Sequence, residues 1–270
     1  MHKVVFTDID GTLIDYNTGE YGETKELIRT LRENHIPVIL CSSKTWEEQN
    51  RIREDLRLNE PFIIENGGAI IIPKDYFYTL NIPNAKDVGG YSVIELGKPV
   101  NEVRTKLSNI REKFLVEFKS VADVSLEELS KISGLPIEYA KSMAQRQYSE
   151  TILLIRENDL AKFTKYAKEI GLTIIHGGRF FDVTIGNDKG KAVQILMNFF
   201  RKEYNYSDIK FFGLGDSEND VPMLNLMDVP ILVQRPDHSW SNVDLKNVTK
   251  IHGIGPEGWK NGFNKIMVLE

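Results

Sequence analysis

The sequence predicts an α/β fold, in which a parallel β-sheet is covered by helices and interrupted by an inserted α+β domain. Three observations lead to this prediction. Short apolar runs alternate with helical patterns at the start of the chain, the middle departs from that alternation, and the alternation returns towards the C-terminus. Alternating strands and helices are typical of a parallel sheet, because each parallel connection has to cross over the sheet.

The N-terminal segment has the pattern strand, helix, strand, helix, strand. The apolar run from Val4 to Phe6 predicts a buried strand, and leucine and isoleucine at helical spacing after residue 23 predict the first helix. Pro37 and Pro61 mark the boundaries that follow the two helices. The predicted elements are strand 4–6, helix 23–34, strand 38–40, helix 45–58 and strand 62–64.

Residues 84–178 are predicted to form a separate α+β domain, because strands and helices are mixed there and have apolar faces of their own. Its predicted strands are 92–96, 151–155 and 173–176, and its predicted helices are 100–114, 125–132, 136–147 and 159–170. Residues 1–83 and 179–270 then form one core domain with a Rossmann-like parallel sheet. In this prediction the core resumes with strand 182–185, helix 189–204 and strand 210–214.

Composition excludes several classes of protein. The 270 residues are 41% hydrophobic and 27% charged, which excludes wholesale disorder, and the net charge of −5 argues against a nucleic-acid binder. A single cysteine, Cys41, excludes an intrachain disulfide framework, and its apolar neighbours predict a buried small side chain. Because the sequence has no signal-peptide pattern and no apolar run of about 20 residues, we expect a cytoplasmic protein with no membrane partner.

Polar side chains follow three of the predicted strands, at Asp8–Asp10, Ser42–Lys44 and Asp216–Asp220. The carboxyl ends of parallel strands meet at one edge of a sheet, so these side chains are expected to converge. Three clustered aspartates are unstable unless protons or a divalent cation neutralise them, and oxygen ligands of this kind suit Mg²⁺. Ser42, Lys44 and Lys189 are donors that a phosphate would need. The sequence therefore predicts a pocket for phosphate and magnesium.

Each part of this pattern also has an ordinary structural interpretation. Asp10-Gly11 on its own is a common turn signal, and Asp216-Ser217 on its own could cap a helix. Lys189 alone could be a solvated helix residue. The functional interpretation depends on the joint pattern, in which each part lies at a strand end or helix start and in a consistent order.

The string Asp8-Ile9-Asp10-Gly11-Thr12 resembles the first motif, DxDGT, of the haloacid-dehalogenase-like phosphatases. Ser42 is similar to the Ser/Thr of the second motif, Lys189 to the lysine of the third, and residues 215–220 to the fourth motif, GDxxND. The inserted domain falls between the second and third motifs, which resembles a C2-type cap that selects the substrate. Residues 65–69 also resemble the ENGA/ENGG turn of that branch.

The resemblance implies a mechanism through an aspartyl-phosphate. Asp8 would be the nucleophile and Asp10 the general acid and base. Ser42 and Lys189 would hold the phosphoryl oxygens. The implied Mg²⁺ ligands are Asp8, Asp10 through its main-chain carbonyl, Asp216, and Asp220 directly or through water.

Several strings resemble one family in this group more closely, the mannosyl-3-phosphoglycerate phosphatases of mannosylglycerate (compatible-solute) biosynthesis. They include residues 41–45, 144–150 and 176–180. A substrate with both phosphate and carboxylate needs additional cations, which Arg146 and Arg179 could supply. Alternatively, Arg146 and Glu150 form an exposed pair at a helix end, or Arg179 is a solvated loop residue. The predicted substrate-binding residues are Ser43, Lys44, Gln145, Arg146, Gln147, Glu150 and Arg179.

Two other functions stay open from the sequence. The same scaffold could serve another sugar-phosphate phosphatase or a phosphomutase, which differ in substrate and in whether water receives the phosphoryl group. A sugar-phosphate-binding protein without catalysis would be expected to lack part of the aspartate set, yet all four aspartates are present. In each case the partner is a small phosphorylated molecule, and the sequence leaves the oligomeric state open.

Overall fold

The computed structural model describes residues 1–78, 80, 82–177, 179–206 and 208–268. The first part of the chain contains β1 (His2–Thr7), α1 (Thr24–Glu33), β2 (Val38–Leu40), α2 (Trp46–Leu56), β3 (Phe62–Ile64), β4 (Ala69–Pro73), β5 (Lys86–Val88) and β6 (Tyr91–Glu95). The middle contains α3 (Val100–Phe114), β7 (Phe118–Ser120), α4 (Leu126–Ser133), α5 (Ile137–Met143), β8 (Ser149–Ile155), α6 (Glu157–Glu169), β9 (Thr173–His176) and β10 (Phe181–Thr184). The last part contains α7 (Lys189–Glu203), β11 (Ile209–Gly215), α8 (Val221–Leu224), β12 (Val229–Gln234), β13 (Thr249–Ile254) and α9 (Pro256–Val268).

The core is a five-stranded sheet with the strand order β13-β12-β11-β1-β2, and all of its pairings are parallel. Successive side chains of β1 point to opposite faces, so Val5 packs on the side of α1 and α9, whereas Val4 and Phe6 pack on the side of α7. Both faces are therefore buried, which explains why this strand is an uninterrupted apolar run. The predicted α/β fold with a parallel sheet and covering helices is confirmed.

A second sheet, of order β3-β4-β6-β5, continues the core beyond β2. Among the described residues, one parallel bridge, between Cys41 and Ile63, joins the two sheets, and the strands of the second sheet pair antiparallel. The prediction that strand 92–96 belongs to the inserted domain is wrong. Tyr91–Glu95 pairs with β4, and Val93 and Ile94 pack into the two core clusters, because this strand too has a buried side chain on each face.

The middle of the chain forms an antiparallel sheet of order β7-β8-β10-β9. Helices α3 and α6 contribute to one hydrophobic cluster on this sheet, and α4 and α5 contribute to another. Residues 98–185, which contain this sheet and its four helices, are called the inserted unit below. Residue 178, the predicted end of the inserted domain, lies outside the described residues.

The prediction that strand 182–185 returns to the parallel core is also wrong. Phe181–Thr184 lies between β8 and β9 and pairs antiparallel with both of them. The reason is packing, because Val183 is buried against Ile152 and Phe163 in the inserted unit. The chain therefore returns to the core after β10 and enters it through α7.

Among the described residues, none of the helices combines the length and the apolar character that crossing a bilayer requires.

Candidate active site

Three aspartates lie at the carboxyl ends of two adjacent strands. Asp8 directly follows β1 and donates its backbone N–H to the carbonyl of Leu214 in β11 at 2.9 Å. Asp216 directly follows β11, and Asp220 lies one turn later. Carboxylate oxygens of Asp8, Asp216 and Asp220 all lie within 4.8 Å of one another, and all three residues are buried. The strand pairing therefore produces the predicted convergence of residues that are far apart in the chain.

Lys189 supplies positive charge at this cluster. Its Nζ lies 2.6 Å from Oδ1 of Asp220 and 3.1 Å from Oδ1 of Asp8. The lysine is the first residue of α7, whose start is held by the side chain of Asp188 accepting from the N–H of Lys191 at 2.9 Å. Burial by itself would lower the pKa of Lys189, but the attraction of Asp220 and Asp8 raises it above the usual lysine value. The lysine is therefore charged.

Three buried carboxylates face one ammonium group, so negative charge is in excess. Burial, the charge of Asp220 and, more weakly, that of Asp10 raise the pKa of Asp8 to about 7, although Lys189 opposes the shift. Burial and the charges of Asp220 and Asp8 also raise the pKa of Asp216 well above its ordinary value. A carboxylate cluster with this charge excess and oxygen-only donors fits a hard divalent cation such as Mg²⁺. Asp8 and Asp216 are the members of the cluster best suited to hold it.

Asp220 is already engaged by other groups. Besides the ion pair with Lys189, its Oδ2 accepts the backbone N–H of Asp216 at 3.0 Å and that of Ser217 at 3.2 Å. Gly215 has to be glycine for this turn to close, because a Cβ there would lie 2.6 Å from the Cβ of Asp220. Asp220 thus holds both the loop that carries Asp216 and the ammonium group of Lys189.

Asp10 lies nearer the solvent than Asp8. Its side chain is 36% exposed, against 7% for Asp8, and its Oδ2 lies 3.0 Å from Nζ of Lys44. The same ammonium group lies 3.6 Å from Oε1 of Glu48. Burial would lower the pKa of Lys44, but Asp10 and Glu48 more than offset this effect and raise it. A carboxylate that is accessible and beside the nucleophile candidate suits proton exchange with a substrate and with water.

Ser42 and Ser43 occupy the loop after β2. Ser42 is buried, its N–H donates to the carbonyl of Ile63 at 3.2 Å, and its Oγ accepts the N–H of Lys44 at 3.3 Å. Ser43 is half-buried. The neighbouring Cys41 is fully buried, and burial raises the pKa of its thiol to about 12. Cys41 is therefore an inert core residue, as predicted, and not a second nucleophile.

Arg146 and Glu150 are committed to partners inside the protein. The Arg146 guanidinium is buried, donates to Oγ of Ser149 at 2.7 Å and lies 3.5 Å from Oδ1 of Asp182. The Glu150 carboxylate is buried and paired with Arg104 at 2.6 Å. The alternative of an exposed pair at a helix end is wrong, because α5 ends at Met143 and both side chains are buried.

The remaining residues predicted to bind substrate lie on the surface. Gln145 and Gln147 are exposed. Arg179 is exposed as well, and its Nη1 donates to the carbonyl of Ser133 at 2.8 Å. The structure therefore brings Lys44 directly to Asp10, whereas the cations predicted in the inserted unit are partly taken up by protein partners.

Three residues in or near the site have contacts that the sequence analysis did not predict. Thr12 donates its hydroxyl to Oδ1 of Asp216 at 3.3 Å, and Glu48 faces Lys44. The spacing Thr45-x-x-Glu48 is a capping box, confirmed by the structure, and could have located Glu48. Glu65 is a fully buried carboxylate between the core and the inserted unit. Its resemblance to the ENGA/ENGG turn marked the turn itself, but the local sequence gave no signal for the contacts of its side chain.

The sequence model of the haloacid dehalogenase-like hydrolases matches residues 5–242 of this chain. The chain therefore belongs to the haloacid dehalogenase-like hydrolase family. The crystal structure of a Thermoplasma acidophilum protein superposes with a TM-score of 0.69 at 18% identity, covering 100% of both chains. This structural likeness supports the α/β fold with its inserted unit.

Two relatives are similar over most of their length. A protein of Methanococcoides burtonii named glucosyl-3-phosphoglycerate/mannosyl-3-phosphoglycerate phosphatase is 39% identical over 265 residues, covering 97% of this chain and 96% of the relative. A protein of Pyrococcus horikoshii named mannosyl-3-phosphoglycerate phosphatase is 36% identical over 238 residues, covering 88% of this chain and 93% of the relative.

Proposed function

We propose that this protein is a Mg²⁺-dependent phosphatase that hydrolyses mannosyl-3-phosphoglycerate to mannosylglycerate and phosphate. The observation that carries the proposal is the buried cluster of Asp8, Asp216, Asp220 and Lys189 at the carboxyl end of the parallel sheet. The names of both relatives include mannosyl-3-phosphoglycerate, which supports this compound as the substrate. Glucosyl-3-phosphoglycerate is a second candidate substrate, because the name of the Methanococcoides relative includes it.

In the proposed reaction Asp8 acts as the nucleophile. Its carboxylate oxygen attacks phosphorus, a bond to Asp8 forms, and the bond to the glycerate oxygen breaks. Asp10, accessible beside Asp8, donates a proton to the departing alkoxide. Asp10 then accepts a proton from the water that attacks the aspartyl-phosphate, which releases phosphate and restores the Asp8 carboxylate.

The charge excess of the carboxylate cluster supports a metal ion at this site. Asp8, Asp216 and the main-chain carbonyl of Asp10 would hold Mg²⁺, with Asp220 in contact directly or through water. The ion would neutralise charge on the phosphoryl oxygens. Lys189 and Ser42 would hold these oxygens as charge develops on them, and Asp220 keeps the ammonium group of Lys189 directed at Asp8.

The inserted unit is proposed to act as the cap that covers the site and selects the substrate. Lys44 is the best supported of the predicted substrate ligands, since its ammonium group lies beside Asp10 at the accessible side of the cluster. Ser43, Gln145, Gln147 and Arg179 are proposed as further contacts. We place the enzyme in the cytoplasm, in the synthesis of mannosylglycerate as a compatible solute.

Phosphate release from a panel of esters tests the proposal. The panel is mannosyl-3-phosphoglycerate, glucosyl-3-phosphoglycerate, sucrose-6-phosphate and mannose-6-phosphate, each with Mg²⁺ and with EDTA. We expect metal-dependent release that is fastest with the mannosyl compound and is abolished in Asp8→Asn. Asp75→Asn is the matched control, because Asp75 is an exposed aspartate whose φ of 61° suits asparagine equally well, and its activity should equal the wild type.

The other outcomes separate the alternatives. Preference for a different phosphate ester would leave the proposed roles of the catalytic residues unchanged, but it would contradict mannosyl-3-phosphoglycerate as the substrate. Absence of release from every ester by a folded wild-type protein would favour a phosphomutase or a binding protein. Full activity of Asp8→Asn would overturn the mechanism.

A further inference from the structure

The turn of residues 65–68 lies where the inserted unit joins the core. The first connection passes beside it, because the N–H groups of Leu96 and Gly97 both donate to the carbonyl of Gly68 at 2.9 Å. The second connection is attached to the same turn through Asn187, whose Nδ2 donates to the carbonyl of Glu65 at 2.7 Å. Both connections between the two parts of the protein are therefore fixed to one turn.

The carboxylate of Glu65 binds the inserted unit directly. It accepts the N–H of Gln147 at 2.8 Å, the N–H of Tyr148 at 3.0 Å and the hydroxyl of Ser149 at 2.5 Å. Glu65 is 0% exposed, and its bonds with the N–H of Tyr148 and the hydroxyl of Ser149 are buried, so the loss of an acceptor would leave buried donors unpaired. Each of the three donors belongs to the inserted unit, whereas Glu65 itself follows a core strand.

The backbone of this turn is strained in a way that does not favour glutamate. Glu65, Asn66 and Gly67 have positive φ values of 48°, 56° and 88° in succession. Glycine or asparagine would adopt the left-handed conformation at position 65 at lower cost than glutamate. The turn geometry alone therefore gives no reason for a glutamate there, and the reason has to lie in the contacts of its side chain.

The other side of the turn contacts the loops that carry the candidate phosphate ligands. The N–H of Glu65 donates to the carbonyl of Lys44 at 3.0 Å, and the N–H of Asn66 donates to that of Ser42 at 3.0 Å. Gly67 lies so close to the start of α7 that a Cβ on it would be 2.6 Å from the backbone nitrogen of Lys189. One turn thus connects the inserted unit to the segments that hold Ser42, Lys44 and Lys189.

We propose that Glu65 is a positioning residue, whose carboxylate fixes segment 147–149 and thereby holds the inserted unit in register with the phosphate-binding loops. This inference rests on the proposed phosphatase function. A substrate whose sugar or glycerate part contacts the inserted unit needs this register for correct placement of its phosphate. A small ester that contacts only the core does not need it.

Glu65→Gln tests the proposal, because it keeps the shape of the side chain but replaces one acceptor oxygen by an NH₂ group. We expect kcat/KM with mannosyl-3-phosphoglycerate to fall roughly 10- to 100-fold, since misplacement of a substrate group has effects of this size. The rate with p-nitrophenyl phosphate should stay at the wild-type value. In parallel, hydrogen exchange followed by mass spectrometry should be faster in peptides that cover residues 145–149.

Asp123→Asn is the matched control. Asp123 also accepts a backbone N–H and a hydroxyl, both from Ser120 at 2.7 Å, but these contacts lie entirely within the inserted unit. In Asp123→Asn, the ratio of activity with mannosyl-3-phosphoglycerate to activity with p-nitrophenyl phosphate should therefore equal that of the wild type. Ser149→Ala removes one of the donors to Glu65 from the opposite side, and should lower the same ratio even if Glu65→Gln folds poorly.

An equal loss on both esters in Glu65→Gln and Ser149→Ala, or unchanged exchange at residues 145–149, would overturn the proposal. Failure of the phosphatase function has a different signature. In that case the wild-type protein releases no phosphate from the sugar ester, and the exchange measurement on Glu65→Gln alone decides whether Glu65 holds the inserted unit.

Discussion

At Asp8, burial and the charge of Asp220 act in the same direction on one carboxyl group. Together they raise its pKa to about 7, and the ion pair with Lys189 opposes this shift without cancelling it. A nucleophilic carboxylate has to be ionised, so the site needs a further positive charge near neutral pH. The chemistry of a single residue therefore argues for the metal ion.

The pKa of Asp8 predicts a pH-dependent effect of Mg²⁺ on stability. Its folded pKa is raised, so its contribution to the stability of the metal-free protein is present below about pH 4 and is lost as the pH rises through about 7. Mg²⁺ binds ionised carboxylates, so it should raise the thermal unfolding temperature more at about pH 8 than at about pH 5. Thermal unfolding with Mg²⁺ and with EDTA at both pH values measures this difference.

Asp8→Asn is the control for this measurement, because it removes the charge that the ion would neutralise. Its response to Mg²⁺ should be smaller than that of the wild type and should vary less with pH. An equal response to Mg²⁺ at both pH values in the wild type would contradict this account of the site.

Among the elements of the fold, α7 has to start at one defined position, because its first residue is the buried Lys189. That position is set by close backbone contact with the turn at Gly67, where a Cβ would lie 2.3 Å from the carbonyl group of Asp188. A glycine is needed here for two reasons, the close approach and a φ of 88°. The start of the helix and the turn are therefore one packed arrangement.

Gly67→Ala should destabilise the protein by about 2–5 kcal/mol, since it combines a left-handed conformation with overpacking against backbone atoms. It should also lower phosphate release, because the start of α7 and the ammonium group of Lys189 have to move. Gly19→Ala is the matched control. Gly19 has a φ of 70° but nothing within 4 Å of an added Cβ, so we expect a cost of about 1–2 kcal/mol and normal turnover.

Urea unfolding and phosphate release of both variants test this prediction. Equal stability of Gly67→Ala and Gly19→Ala would show that the contact with α7 does not constrain the turn.

On the scale of the whole molecule, the core and the inserted unit have separate hydrophobic clusters. Among the described residues, Tyr148 is the one member of the inserted unit in a core cluster, that of Val5 and Ile9, and the other core cluster contains none. The inserted unit is stabilised by its own clusters, in which Phe163 is almost completely buried against Phe118. The two parts are therefore joined mainly by polar contacts at the turn of residues 65–68 and at helix α5, where Thr45 donates to the carbonyl of Ser142 at 2.9 Å.

Separate clusters predict separate responses to a core substitution. Phe163→Ala should destabilise the inserted unit by about 3–5 kcal/mol and speed its hydrogen exchange, because it leaves a large cavity. Exchange in the parallel sheet and hydrolysis of p-nitrophenyl phosphate should change little. Phe212→Ala, in the core strand β11 that leads to Asp216, is the control, and it should speed exchange in the core and lower hydrolysis of every ester.

Uniform acceleration of exchange over the whole chain in Phe163→Ala would show instead that the molecule unfolds as one unit.

Much of the catalytic cluster could be predicted from the sequence. Asp8 and Asp216 follow apolar strands, and the rule that parallel strands end at one edge brings them together without further information. Arg146 and Glu150 illustrate what could not be predicted in this way. Both are polar residues near the end of the predicted helix 136–147, and their contacts are with Asp182 and Arg104, which are distant in sequence.

The alternation of strands and helices by itself determined the parallel core, and the positions of the acidic turns determined its candidate site. The tertiary structure decided which sheet two apolar strands join. Tyr91–Glu95 and Phe181–Thr184 could pair in either part of the protein on local pattern alone, and the hydrophobic face available to each strand settled the choice. It also decided the role of Glu65, because the contacts of a buried carboxylate are set by the segments that fold around it, and a local sequence does not contain them.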